Sequence, residues 1–177
     1  TVACVCLASG VSLIFAESID TIARDLLRVR PTVMSAVPRV FEKLHGRVLE
    51  KGAQTSGLRR KVFEWALSVA VRRGERLAAG RPIPATLALE SRVADAQVFA
   101  KIRDSIGGRL RWAVSGSAPL NRDLASFFLA IGLPILEGYG LTETAPVLAV
   151  TPPGKIRLGT VGPPLPNLEV RIAGDGE

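Results

Sequence analysis

Between residues 11 and 37 an apolar run, a helical pattern and a second apolar run follow one another with almost no loop. The first run, residues 11–16, is Val-Ser-Leu-Ile-Phe-Ala and reads as a short strand. Ser18 then supplies an N-cap for a helix in which Ile19, Ile22, Ala23, Leu26 and Leu27 share one face. Pro31 stops that helix. Residues 32–37 are short, β-prone and apolar, as a strand buried on both faces should be. Strand, helix and strand at this spacing make a βαβ unit, which requires a parallel sheet. The expected class is α/β, a parallel sheet with flanking helices.

Pro38 opens a helix to about Glu50, with Val40, Phe41, Leu44 and Val48 apolar. Two longer helical patterns follow at about 58–79 and 85–106, so a helical insertion occupies about 51–108. In the first of them Leu58, Val62, Trp65, Val69 and Leu77 define a face, and arginines fill the rest. Gly107-Gly108 ends the second. The sheet resumes with a strand at 110–114, a tight turn over 115–119, a helix capped by Asn121 and a strand at 134–136. From Gly132 onward 15 of 46 residues are Gly or Pro, so loops and short strands dominate there. The expected division is an α/β part over 1–151 and the beginning of a β-rich subdomain over 152–177.

Charge is unevenly distributed. Residues 24–111 hold 19 basic and 8 acidic side chains, whereas the rest of the chain holds 4 and 8. The bland reading of the arginines at 58–81 is a solvated helix face, and it is the favoured one. Contact with anionic lipid is the sharper reading, and a basic nucleic-acid-binding module is the rival from a different class. Few aromatics are available for base stacking, and no nucleic-acid motif is present, so no nucleic-acid partner is expected. Cys4 and Cys6 are too close for an easy bridge and read as buried apolar residues in a reducing compartment. The uncharged stretch 1–16 has no basic leader and is interrupted by Gly10, so it does not read as a signal peptide. The expected location is cytoplasmic, with peripheral contact at the inner face of the membrane if the arginine face binds lipid. His45, the single histidine, reads as a surface or core residue and not as a metal ligand.

Ligands of open α/β sheets bind beyond the carboxyl ends of strands. Two strands here run into loops of small and polar residues, Ser115-Gly116-Ser117-Ala118-Pro119 and Gly138-Tyr139-Gly140-Leu141-Thr142-Glu143. Small residues let a flat ring or a phosphate approach the backbone. Tyr139, the single tyrosine, offers a ring for stacking, Thr142 and Thr144 offer hydroxyls, and Glu143 is a hard carboxylate suited to Mg²⁺. A planar base, phosphates and a metal together describe a nucleotide. Read without further context, the loops serve equally well as two ordinary turns. Ser115 and Ser117 do not read as hydrolase nucleophiles, because the G-x-S-x-G elbow is absent.

The run Gly138-Tyr139-Gly140-Leu141-Thr142-Glu143-Thr144 resembles the Y-G-x-T-E motif of the adenylate-forming superfamily. The run Val114-Ser115-Gly116-Ser117-Ala118-Pro119-Leu120 is similar to that family's G-x-A-P loop. Residues 31–43, the long helical stretch and residues 159–166 look like the long-chain fatty acid–CoA ligase branch. The resemblance implies an enzyme that uses ATP and Mg²⁺ to convert a fatty acid to an acyl-adenylate and passes the acyl group to coenzyme A. It implies that Gly116, Ser117, Ala118 and Pro119 line the adenine pocket with Glu137, Gly138, Tyr139 and Gly140. Tyr139 would stack on the base, and the Gly138 carbonyl would meet the exocyclic amine. Thr142 would hold a phosphate oxygen and Glu143 the metal, and these two are the expected catalytic residues. Acyl-pocket residues are expected near 145–150 and 159–166. Transfer to a carrier protein in place of coenzyme A is the runner-up within the same chemistry.

No match is found for the family's phosphate loop, its ribose-binding aspartate or its small C-terminal domain. The chain starts without Met and ends on the turn-like Gly174-Asp175-Gly176-Glu177, so it reads as the central part of a larger N-terminal domain. Alone, it is expected to be inactive.

Overall fold

The computed structural model describes residues 2–144, 147–172 and 174 of the chain. Helix α1 covers Val2–Ala8, α2 covers Ile22–Val29, and strand β1 follows at Val33–Ala36. Helices α3 (Pro38–Ala53) and α4 (Gly57–Ala78) lead to α5 (Ala85–Ala94), a π-helical turn at Asp95–Phe99 and α6 (Ala100–Asp104). Strand β2 (Trp112–Ser115), helix α7 (Arg122–Ala130), strand β3 (Ile135–Tyr139), a 3₁₀ turn (Thr142–Thr144) and strand β4 (Ala149–Val150) complete the order. The sheet order is β1-β2-β3-β4. Its first three strands are parallel, and β4 runs antiparallel to β3.

The class expected from the sequence holds, but the parallel pairing is built elsewhere. Residues 11–16 are not a strand, and Leu13, Ile14 and Phe15 are exposed. The buried core begins only at Ile22, and among the described residues no strand pairs with this apolar run. Both parallel connections lie downstream: α3 and the helical insertion carry β1 to β2, and α7 carries β2 to β3. Helix α2 starts at Ile22 and not directly after Ser18, whose hydroxyl accepts from the Thr21 N–H at 3.2 Å. Its buried face is reduced to Ile22 and Leu26, while Ile19 and Leu27 are exposed. Cys4 is exposed and Cys6 half-buried, contrary to the expected burial, because α1 lies outside the core.

The helical insertion packs against α7, mainly through α4. Ala66, Val69, Ala70 and Gly74 form the buried stripe of α4, and Val62 and Trp65 pack at its side. Leu58 departs from the expected face and is 77% exposed. At the crossing of α4 and α7 the backbones come close. A Cβ on Gly74 would lie 2.3 Å from Ser126 Oγ and 2.9 Å from the Ser126 carbonyl oxygen. Several arginines of the insertion are engaged within the chain. Arg60 pairs with Glu64 at 2.9 Å and Arg72 with Glu90, while Arg73 donates to the Ala130 carbonyl at 2.9 Å.

Both ends of α7 are held by side chains. Asn121 Oδ1 accepts from the N–H groups of Asp123 (2.8 Å) and Leu124 (3.1 Å), the cap expected from the sequence. At the other end Arg73 binds the Ala130 carbonyl, and Arg103 donates to the Ile131 carbonyl at 2.7 Å. Arg103 is also bidentate to Asp95, at 2.6 and 3.1 Å, and it holds the Asp95 carboxyl below the usual carboxylate range. His45 is half-buried, with its ring edge against Phe127 at a centroid distance of 4.5 Å, and burial pushes its pKa down.

A Gly74→Val substitution puts three carbons where Ser126 already sits. It should destabilise the protein by about 1–3 kcal/mol, the usual cost of overpacking. Thermal unfolding measures this, and an unchanged Tm would contradict the close crossing.

Candidate functional site

The site is set by the parallel register of β2 and β3, in which Ser115 stands opposite Glu137. Both strands end at the same edge of the sheet, so the 116–119 turn and the segment after Tyr139 emerge side by side. A Cβ on Gly116 would meet the Gly138 carbonyl oxygen at 3.6 Å. One on Gly138 would meet the Ser115 carbonyl oxygen at 3.8 Å and Val114 Cγ1 at 3.9 Å. These are ordinary contacts, so packing within the chain does not demand glycine at either position. The two glycines leave an open cradle that a side chain would fill.

Of the turn residues, Ser117, Ala118 and Pro119 are exposed. Ser117 adopts φ 71°, a left-handed conformation that costs an ordinary L-residue roughly 1–2 kcal/mol. Strain of this kind concentrates at ligand-binding turns. The turn closes on buried Leu120 and the Asn121 cap, which anchor it to α7.

On the other strand, the Glu137 carbonyl accepts from the Thr151 N–H at 2.9 Å, and the Tyr139 carbonyl from the Leu148 N–H at 2.9 Å. These bonds fix the backbone on both sides of Gly138. The Glu137 carboxyl is half-buried. Loss of solvent raises its pKa, while the backbone N–H groups of Leu120 and Gly159 act in the opposite direction. Tyr139 is 49% exposed, and Gly140 is exposed beside it.

Thr142 and Glu143 are exposed on the 3₁₀ turn, which Thr144 ties by donating its hydroxyl to the Leu141 carbonyl at 2.9 Å. Among the described residues no group of three or more His, Cys, Asp or Glu could hold a metal, and Glu143 has no ion-pair partner. A single free carboxylate fits Mg²⁺, which keeps waters and binds through one or two carboxylates plus substrate phosphates.

The structure therefore brings Gly116, Glu137 and Gly138 together, with Ser117, Ala118 and Pro119 on the adjoining turn and Tyr139 and Gly140 at the strand end. Thr142 and Glu143 follow on the next turn. Of the expected acyl-pocket segments, Ala145 and Pro146 lie outside the described residues. The remainder does meet residues 159–166: Ala149 bridges Pro164, and Leu165 N–H donates to the Leu148 carbonyl at 2.9 Å. Among the described residues 152–172, that bridge at Pro164 is the only β pairing. Ser115, which opens the small polar turn, has no role of its own among the expected site residues. It is 2% exposed, and among the described residues its hydroxyl has no hydrogen-bond partner.

Residues 1–177 match the family described as AMP-binding enzyme. A Mycobacterium tuberculosis protein provisionally named fatty-acid–CoA ligase fadD11 is 44% identical over 159 residues, which cover 89% of this chain and 28% of that protein. The long-chain-fatty-acid–CoA ligase FadD15 of Mycobacterium bovis is 39% identical over 169 residues, or 96% of this chain and 28% of that protein. The chain thus spans a little over a quarter of the length of these relatives. The crystal structure of the anthranilate CoA ligase AuaEII with anthranoyl-AMP superposes with a TM-score of 0.50 at 18% identity, covering 94% of this chain and 23% of that one. At that identity the likeness shows the fold alone.

The left-handed Ser117 generates a prediction. Ser117→Gly should leave the protein at least as stable, because glycine adopts this conformation without a Cβ penalty. Ser117→Val should be the less stable of the two by about 2 kcal/mol, since the Cβ penalty returns with a β-branched side chain. Denaturant midpoints compare them, and equal midpoints would contradict the strained turn.

Proposed function

Since the chain belongs to the AMP-binding enzyme family, we propose that the protein carrying it activates a fatty acid with ATP and transfers the acyl group to coenzyme A. The observation that carries this reading is the pair of facing glycines, Gly116 and Gly138, at positions where a Cβ would make only ordinary contacts, so that protein packing does not require glycine at either. The names of the relatives support the fatty acid as substrate and coenzyme A as acceptor. Because the chain covers 28% of each of those proteins, the full reaction is assigned to the protein that contains this chain and not to these residues alone.

Adenine lies against Gly116 and Gly138, with the Tyr139 ring stacked on it and the Gly138 carbonyl accepting from the exocyclic amine. The carbonyl is available because the neighbouring carbonyls of Glu137 and Tyr139 are the ones that bond to the 148–151 segment. The turn residues Ser117, Ala118 and Pro119 line the other side of the base. Thr142 donates its hydroxyl to a phosphate oxygen, and Glu143 would hold Mg²⁺. When bound, that ion offsets the charge of the phosphates as the carboxylate approaches. A fatty acid carboxylate oxygen attacks the α-phosphorus, the bond to the bridging oxygen breaks, and pyrophosphate leaves. The coenzyme A thiolate then attacks the acyl carbon, and AMP departs with the bonding pair. No side-chain nucleophile is needed, so the contribution of these residues is positioning and charge neutralisation.

The exposed arginines of α4 read best as a solvated face, a view supported by the pairing of Arg60 with Glu64 and of Arg72 with Glu90. Among the described residues no helix is long and apolar enough to cross a membrane.

Fatty-acid-dependent exchange of labelled pyrophosphate into ATP tests the reading in the protein that carries this chain. Exchange should occur there and be absent from the 177 residues alone. Tyr139→Ala should raise KM for ATP about tenfold, the loss of one base-stacking contact. Glu143→Gln should reduce kcat by about 100-fold or more while leaving the Tm unchanged. Absence of exchange with any fatty acid would overturn the assignment.

A further inference from the structure

Ser115 is the last residue of β2 and one of the most deeply buried side chains of the protein. In the parallel register Ala113 stands opposite Ile135 and Ser115 opposite Glu137, so these four side chains share one face of the sheet. Alternation along β3 places Tyr139 on that same face. Ala113 and Ile135 occupy its interior as core residues. Ser115 and Glu137 occupy its carboxyl edge, immediately before the two glycines of the cradle. Among the described residues the Ser115 hydroxyl has no partner, although a buried hydroxyl without one costs free energy and alanine would fill the same space without that cost.

On this face the register sets Glu137 directly beside it on the adjoining strand. That carboxyl is half-buried and faces the backbone N–H groups of Leu120 and Gly159. A base seated on Gly116 and Gly138 would exclude further water from this edge, and a carboxylate that loses water needs an additional donor. The Ser115 O–H can rotate to supply one.

We propose that Ser115 is a positioning residue of the nucleotide site, whose hydroxyl is unpartnered in the free protein and donates to the Glu137 carboxylate when a nucleotide base occupies the cradle. The hydroxyl thereby steadies the strand end that presents the Gly138 carbonyl. This inference rests on the nucleotide reading of the site and adds to it a residue buried beneath the cradle.

The experiment uses the protein that carries this chain, with ATP as the probe, in four forms: wild type, Ser115→Ala, Glu137→Gln and the double variant. Titration with ATP gives Kd, steady-state rates give KM and kcat, and thermal unfolding is followed with and without ATP. Ser115→Ala should weaken ATP binding about tenfold, with the loss in KM for ATP and not in KM for the fatty acid. Its Tm without ATP should equal or exceed that of the wild type, because an orphaned hydroxyl has been removed. In the Glu137→Gln background, where no charge requires the extra donor, Ser115→Ala should cause no further loss. Equal ATP affinity of Ser115→Ala and wild type would overturn the inference, as would full additivity of the two substitutions. A wild type that does not bind ATP would instead overturn the nucleotide reading itself, so the two failures are distinguishable.

Discussion

The parallel pairing of β2 with β3 is the constraint on which the site depends, and a parallel pair can exist only if a crossover lies across the sheet. Here the crossover is the nine-residue helix α7, too short to be stable by itself. Three sources of order compensate. Leu124, Ala125, Phe127, Phe128 and Ala130 bury its inner stripe. Asn121 satisfies its first N–H groups, and Arg73 and Arg103 satisfy carbonyls at its far end. The arginines belong to α4 and α6, so the helical insertion is part of what holds the crossover in place. The cradle between Gly116 and Gly138 is thus supported from residues far from it in the chain.

This arrangement changes the meaning of the basic middle of the chain. Arg73 and Arg103 are structural donors to backbone carbonyls, and Arg103 is neutralised by Asp95. The Asp95–Arg103 pair joins the start of the π-helical turn to α6, where one extra residue per turn shifts the helix face. Net charge is a poor guide to partners when positive groups are used internally in this way.

The sequence carried clear signals wherever a local residue has one physical role. Pro38 opens α3, Asn121 caps α7, and small residues mark the two strand ends; all appear at the expected places. The signal failed where tertiary neighbours decide. Residues 11–16 have the composition of a buried strand but no strand beside them, and Cys4 and Cys6 have an apolar setting only in sequence. Leu58 sits at the right helical spacing, one residue into α4, yet it is exposed. The π-helical turn carries no compositional mark, and in three dimensions its first residue, Asp95, is bound by Arg103. In the candidate site the backbone elements were legible from motif spacing. The orphaned Ser115 hydroxyl was not, since a missing hydrogen bond is a property of three dimensions.

The cradle has a consequence for how this chain would look under selection. Gly74 is enforced by the fold, because Ser126 occupies the space beside it. At Gly116 and Gly138 a Cβ would make only ordinary contacts, so the fold is nearly indifferent to a methyl group there. A library sorted for expression or heat resistance would accept changes at both positions freely and would drift away from an open strand edge. Only a sort for ligand occupancy would hold them, so comparing the two libraries would separate residues kept for architecture from residues kept for chemistry.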